Sequence, residues 1–282
     1  MEIAIGKAET LIEALPYIKK FHKSVFVIKY GGSALQDPKV RGSVLEDVAF
    51  LRYAGIRPIL IHGGGPHISE RLNAMNHPVK FVDGRRYTDE VTLGVVEEEM
   101  AALNRQLVEE INVHGELARG FTHSNSVIRA VKKQDGPDLG FVGEAVGFDT
   151  RTLRPMLELS IPVLAPLGIG DDGTVYNINA DDIAYSLASA LQAEKLVLMT
   201  KELGVLRDID DPESLISHIR DGEAEQLIAD GIISGGMVPK VRAAVQSLHN
   251  GVGKVHIVDA KIPHALLLEI FTDTGIGTEI VH

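Results

Sequence analysis

Short apolar runs alternate along the chain with longer stretches of helical periodicity, and this alternation constrains the fold more than any other feature. The runs lie at 25–29, 58–61, 163–166, 196–199 and 254–258. Strands that are apolar on both faces and separated by helices predict a mostly parallel sheet with both faces covered. At 282 residues the chain has room for one large α/β unit or two closely joined lobes sharing one sheet.

Local signals fill in the connections. Leu11, Ile12, Leu15, Ile18 and Phe21 form a helical stripe over 8–21 despite Pro16, read as a packed first helix in preference to an oligomer-forming arm. Asp83-Gly84, between Val79-Lys80-Phe81-Val82 and Arg85-Arg86-Tyr87, is a two-residue hairpin signal because both positions tolerate positive φ. Val95, Val96, Met100, Leu103, Leu107 and Ile111 mark a long helix over 89–113, closed by His114-Gly115 and suited to a dimer surface. Asp171-Asp172-Gly173 marks another turn.

The net charge of -11 disfavours nucleic acid and anionic lipid as partners, and sends the search for an anion site to Lys and Arg beside glycines. The absence of Cys excludes disulfides and thiolate metal sites and fits a reducing cytoplasm. No run approaches the roughly 18 apolar residues of a membrane span, and the first residues carry no secretory signal, so the expectation is a cytoplasmic protein.

Four motifs carry candidate chemistry. Val27-Ile28-Lys29-Tyr30-Gly31-Gly32-Ser33 and Ile59-Leu60-Ile61-His62-Gly63-Gly64-Gly65-Pro66 are strands that run into glycines, where backbone N–H groups can approach an anion. Tyr176-Asn177-Ile178-Asn179-Ala180-Asp181-Asp182 puts amides and carboxylates at a helix start; one caps the helix and the others remain for a ligand or a lysine. Ser234-Gly235-Gly236-Met237-Val238-Pro239-Lys240 sets glycines, a first-turn Pro and a Lys in line for phosphate. Neither of the two strand-end glycine segments matches the P-loop or dinucleotide pattern, and Gly168-Ile169-Gly170-Asp171-Asp172-Gly173, which spells the latter, reads as a turn. A hydrolase reading of His-Gly-Gly-Gly lacks the G-x-S-x-G nucleophile, so His62 reads as a locally bonded strand-end histidine.

In order, these motifs together with Gly84-Arg85-Arg86-Tyr87-Thr88 resemble the N-acetyl-L-glutamate kinase branch of the amino acid kinase family over nearly the whole chain. The resemblance implies a three-layer αβα sandwich with a mainly parallel central sheet. It divides the chain into 1–194, with the N-terminal arm and the acetylglutamate-binding and dimerisation lobe, and 195–282, the ATP-binding lobe with a C-terminal effector segment. It carries over Lys29, Lys240 and Asp181 as catalytic, Gly64, Gly65, Arg86 and Asn177 as substrate-binding, and Gly31, Gly32, Gly63 and Gly236 as phosphate-binding residues. ATP with Mg²⁺ is the implied donor, with no dedicated protein metal site. Similarity to the arginine-inhibited branch implies an L-arginine site at Tyr17, Lys195, His264, Glu269, Gly275 and Gly277, and a trimer of dimers. Where the family usually reads Thr-Asp-x-x-Gly, this chain has Thr200-Lys201-Glu202-Leu203-Gly204, and Asp259-Ala260-Lys261 replaces a Gly-Arg-like turn. The competing readings are a kinase for another small acid and a catalytically weak arginine sensor.

Overall fold

The computed structural model describes residues 2–272 and 274–282. Helix α1 (Glu2–Phe21) leads into β1 (Val25–Tyr30), and α2 (Pro38–Tyr53) carries the chain to β2 (Arg57–His62). Then come α3 (Gly65–Ala74), the hairpin β3 (Phe81–Val82) and β4 (Arg85–Arg86), and the long α4 (Glu90–Asn112). Strands β5 (Ala118–Phe121), β6 (Ile128–Lys132) and β7 (Gly143–Phe148) precede α5 (Thr150–Leu159), β8 (Ile161–Leu164), β9 (Leu167–Ile169), β10 (Val175–Asn177) and α6 (Ala180–Leu191). The chain continues through β11 (Lys195–Thr200), β12 (His218–Arg220), α7 (Ala224–Ala229), α8 (Met237–His249), β13 (Lys254–Asp259), α9 (Ala265–Ile270) and β14 (Thr278–Val281).

One eight-stranded sheet, in the order β12-β14-β13-β11-β1-β2-β8-β5, forms the middle layer. Every neighbouring pair is parallel except β13 with β14. The period-2 alternation of side chains separates two cores. Phe26, Ile28 and Tyr30 pack with Phe21 of α1, Val44 and Leu45 of α2, Leu107 of α4 and Leu266 of α9. Val27 faces the opposite core, with Leu157 of α5, Leu187 of α6 and Leu248 of α8. Each such side chain contributes about 1.5–3 kcal/mol by leaving water, which is why strands apolar on both faces specify this buried central layer. Among the described residues, no helix is long and apolar enough to cross a membrane.

A second sheet, β10-β9-β6-β7, covers one end of the molecule and holds the cavity wall described below. Within it β9 and β10 are antiparallel, with Ile169 opposite Val175 and Gly170 N–H donating to Thr174 O at 2.8 Å. The glycine-rich spelling at 168–173 is thus a hairpin turn. The β3–β4 hairpin has φ of 48° at Asp83 and 76° at Gly84, the two positive values that its Asp-Gly sequence accommodates.

The first helix departs from expectation. Its C-terminal Phe21 is buried and Tyr17 packs against the core, but Leu11, Ile12 and Leu15 are 68%, 67% and 55% exposed. With Ile18 half-buried and Phe21 buried, the stripe packs at its C-terminal end alone, so periodicity gave the helix correctly and its packing only in part.

Gly140 locks the hairpin region to the second sheet. It has φ 73°, and a Cβ there would sit 2.2 Å from Thr88 O, whose backbone pairs with Leu139 and Phe141. Gly140→Ala is expected to destabilise the protein by about 2 kcal/mol or more, because left-handed strain and a backbone clash add. Urea unfolding of the two proteins checks this, and an unchanged midpoint would refute it.

Candidate active site

The ends of β1 and α6 and the first turn of α8 bring three charges together. Lys29, one residue before the end of β1, puts Nζ 2.7 Å from Asp181 Oδ1 in an ion pair. Lys240 donates to Asp181 Oδ2. Asn179 caps α6, its Oδ1 accepting the N–H groups of Asp181 at 2.8 Å and Asp182 at 3.3 Å, and so fixes where the carboxylate starts from. Burial alone would raise the Asp181 pKa, but the ammonium groups of Lys29 and Lys240 outweigh it and hold the carboxyl below its ordinary range. The result is two cations spaced by one shared anion, with net positive charge facing the cavity.

Parallel pairing of β1 with β2 sets Tyr30 opposite His62, so the two glycine segments leave the sheet side by side. Gly63 N–H donates to Tyr30 O at 2.8 Å. A Cβ on Gly63 would lie 3.3 Å from Gly31 Cα, and one on Gly31 would lie 3.1 Å from Lys29 Nζ. These glycines keep backbone and lysine at van der Waals distance. Gly64 rests on α4, where a Cβ would come within 2.8 Å of Met100 Sδ. His62 is fully buried and its pKa is pushed down to about 4 by desolvation. With Asn104 Nδ2 donating to Nε2 at 3.1 Å, the neutral ring carries its proton on Nδ1 and donates it to Gly63 O at 3.0 Å. His62 therefore orients the glycine turn and is no base.

A cavity of about 240 Å³ opens over this floor, between the glycine turns, the hairpin and the β10–α6 connection. Lys29, Gly32, Gly63, Gly64, Gly65, Arg86, Asn177 and Asp181 all line it, beside the apolar Ile68, Phe81, Met100 and Val142. Arg86 is buried, donates through Nη2 to Gly65 O (2.9 Å) and Ser69 Oγ (2.7 Å), and lies over the Phe81 ring at 4.7 Å. Its Nη1 is buried with no partner among the described residues, an unused donor on a side chain that lines the cavity. Arg85 ties the hairpin to α6 through Asp182 at 2.8 Å. Asn177 Nδ2 donates to Thr88 Oγ1 at 3.1 Å. Among the described residues lining this cavity, Asp181 is the single carboxylate, and two lysines already occupy it, so the lining offers a divalent cation no cage of its own.

On the far side of Lys240 lies a larger cavity of about 760 Å³, bounded by 201–209, Gly231, Ile232, Ser234, Gly236 and Met237. Lys240 lines it and also reaches Asp181, so one side chain joins the two cavities. Lys201 stands at its mouth, largely exposed and 3.4 Å from Glu202. Gly236 belongs to this side, separate from Gly31, Gly32 and Gly63.

A model of the amino acid kinase family matches residues 24–259. The chain belongs to that family. An acetylglutamate kinase of Thermosynechococcus vestitus is 45% identical over 98% of this chain and 94% of its own length. Among solved structures, N-acetylglutamate synthase from Neisseria gonorrhoeae complexed with coenzyme A and N-acetyl-glutamate superposes with a TM-score of 0.87 at 27% identity, covering 98% of this chain. The same synthase complexed with coenzyme A and L-arginine gives 0.82 at 26% identity over 97% of this chain. This chain spans 63% and 65% of those two longer chains. The mainly parallel three-layer architecture described above is that of the amino acid kinase family.

A third cavity in this family member, about 380 Å³, lies between α1, the start of β11 and the segment after α9. Tyr17, Lys195, Glu269 and Gly275 line it, joined by Lys20, Lys254 and Glu279, which sequence reasoning did not single out. Gly277 is adjacent, its N–H donating to Glu269 Oε2 at 3.0 Å. His264 is not part of the lining. It begins α9 in a left-handed conformation with Nδ1 2.7 Å from the buried Asp47, an anchor of α9 to α2. Sequence reasoning also gives no site role to Met100, which lines the first cavity, or to Ser69, which holds Arg86. Both lie outside the glycine and lysine motifs, and only the fold brings them in.

Proposed function

We propose that this chain transfers the γ-phosphoryl group of ATP, delivered with Mg²⁺, to the γ-carboxylate of N-acetyl-L-glutamate, giving N-acetyl-L-glutamyl 5-phosphate and ADP in arginine biosynthesis. The observation that carries the reading is the Lys29–Asp181–Lys240 bridge between a small cavity rimmed by glycines and Arg86 and a larger one beyond Lys240. Acetylglutamate kinases aligned end to end with the chain support the choice of acceptor. In this reading residues 1–194 hold the acid and 195–282 the nucleotide, in a cytoplasmic enzyme.

The chemistry requires no general base, since a γ-carboxylate with a pKa near about 4.3 is already an ionised nucleophile at pH 7. Transfer then depends on alignment and on neutralising charge as it spreads over the phosphoryl oxygens. Lys29 and Lys240 contribute the charge from opposite sides, Asp181 sets their separation, and the N–H groups of Gly32 and Gly64 donate to the phosphoryl oxygens, while Gly63, its own N–H given to Tyr30 O, holds the two turns together. Gly31 keeps the turn close to Lys29, and Gly236 opens the start of α8 to the nucleotide phosphates. Mg²⁺, bound through phosphate oxygens, adds charge neutralisation. Arg86, with a free buried donor and no acidic partner among the described residues, takes the α-carboxylate, and Asn177 and Gly65 border the acetamido end.

Turnover is tested by ADP release with ATP, Mg²⁺ and N-acetyl-L-glutamate, compared with L-glutamate and aspartate. Selective use of the acetylated acid supports the assignment; equal use of all three would refute it. Arg86→Leu is expected to raise KM for the acid by at least about tenfold while KM for ATP stays within twofold, as loss of a charge-assisted pair implies. Equal effects on both KM values would remove Arg86 from the acid subsite.

A second reading concerns regulation. The cavity between α1 and β11 combines Lys20, Lys195 and Lys254 with Glu269 and Glu279, a charge pattern suited to an amino acid bearing a cationic side chain. We propose L-arginine as an inhibitor there, and a trimer of dimers in which the exposed Leu11, Ile12 and Leu15 of α1 are covered by a second copy. The gonococcal synthase complexed with L-arginine supports the choice of effector.

A further inference from the structure

Away from the three cavities, side chains from three elements converge at the edge of the large sheet. Strand register brings two of them together. Strands β12 and β14 are parallel with Arg220 opposite Val281, so the next residues, Asp221 and His282, leave adjacent strand ends side by side. The third, His249, comes from the last turn of α8. Its Nε2 lies 3.1 Å from Asp221 Oδ2, and His282 Nδ1 lies 3.2 Å from the same oxygen. The two rings stack with centroids 6.0 Å apart and 19° between their planes. The other carboxylate oxygen accepts Gly222 N–H at 2.7 Å, which fixes the carboxylate and leaves Oδ2 facing both imidazoles.

One ligand atom from each residue lies within 4.8 Å of the other two. We propose that Asp221, His249 and His282 form a binding site for a divalent transition-metal ion of the zinc class. Two imidazole nitrogens and one carboxylate oxygen suit Zn²⁺, Co²⁺, Ni²⁺ or Cu²⁺, whereas Mg²⁺ and Ca²⁺ favour oxygen alone. Both ring nitrogens face the same oxygen, and an ion held between the three atoms accepts a lone pair from each. Three protein ligands leave a fourth position open, and the half-exposed histidines leave it to water.

The site has a mechanical consequence that does not depend on the identity of the substrate. Helix α8 carries Lys240 in its first turn and His249 in its last, about 14 Å further along the helix axis. An ion at Asp221 ties the distal end of α8 to β12 and β14, and so steadies the helix that presents Lys240 to Asp181 from a position outside the cavity.

The test uses the full chain with Zn²⁺ as the titrant in excess Mg²⁺, followed by calorimetry, and Co²⁺ as a spectroscopic replacement. One ion per chain is expected, with Co²⁺ giving the visible bands of a low-coordinate site containing nitrogen. His249→Ala and His282→Ala should each weaken Zn²⁺ binding by about tenfold or more, a loss at least as large as that for outer-shell partners. His114→Ala should leave it unchanged. Thermal unfolding should rise with Zn²⁺ in the parent and in His114→Ala but not in the other two. Zn²⁺ binding equal in all four proteins, or Co²⁺ spectra no different from aqueous ion, would overturn the site and leave the cluster an ion pair only.

Discussion

Lys29→Met and Lys240→Met are each expected to lower kcat by about 10²-fold or more, with KM for the acceptor acid changed far less. The magnitude follows from the removal of one preorganised charge donor from a low-dielectric site. Because charge in the phosphoryl-transfer transition state redistributes over the equatorial oxygens and onto the leaving oxygen, the loss falls on kcat more than on ground-state binding. Lys29→Arg should not restore activity. On the Gly31 side Nζ is closely approached, since a Cβ on Gly31 would lie 3.1 Å from it, and a planar guanidinium is wider than an ammonium and would not reproduce its position. Lys240 opens onto the larger cavity and is less enclosed, so Lys240→Arg should retain more activity than Lys29→Arg. Steady-state kinetics on the four variants, with circular dichroism to verify folding, decide the matter. Folded Lys29→Met protein with parental turnover would remove the lysine from the mechanism.

How much of this was legible in advance varied with how local the signal is. Four of the five apolar runs became β1, β2, β11 and β13 and the fifth, 163–166, overlaps the last two residues of β8, because strands buried on both faces need little tertiary information to be recognised. The Asp83-Gly84 hairpin was equally legible, since the turn chemistry sits in two residues. Strands β5, β6 and β7 were not anticipated. Arg119, Arg129 and Glu144 interrupt them, and their pairing with β8, with β9 and with each other is set by chain segments far apart. The reading of α1 as packed held at Phe21 and not at Leu11, Ile12 and Leu15 for the complementary reason, that periodicity fixes a face but not what covers it. At the site, the sequence placed the glycine segments and the lysines on the right elements, because consecutive glycines at a strand end cost backbone entropy that a closely approaching ligand can offset. It could not show that Arg86 would be buried against Ser69 and Phe81, nor that His264 would turn to Asp47 and leave the cavity beneath α1.

Asp181→Asn is expected to have effects on activity and on stability that respond differently to pH. The carboxylate lies between Lys29 and Lys240, and an amide of the same shape keeps the volume and loses the charge. The two ammonium groups then repel without an intervening anion, so the phosphoryl-binding geometry relaxes and kcat should fall by about 10²-fold, comparable to loss of a lysine. Stability at pH 7 should fall by about 1–3 kcal/mol, below the full cost of breaking a buried pair because all three side chains keep some solvent contact. The pH dependence follows from linkage. The folded pKa of Asp181 is depressed below its unfolded value of about 3.9, so its contribution is fully present above that value and is lost as pH falls through the lower folded pKa. The stability gap between parent and Asp181→Asn should therefore be constant from pH 5 to 7 and close as the solution is acidified below about pH 4. Urea unfolding at pH 7, 5 and 3 measures it. A gap that stays the same at pH 3 would mean that the carboxylate acts through packing, and that its charge does not hold the two lysines in place.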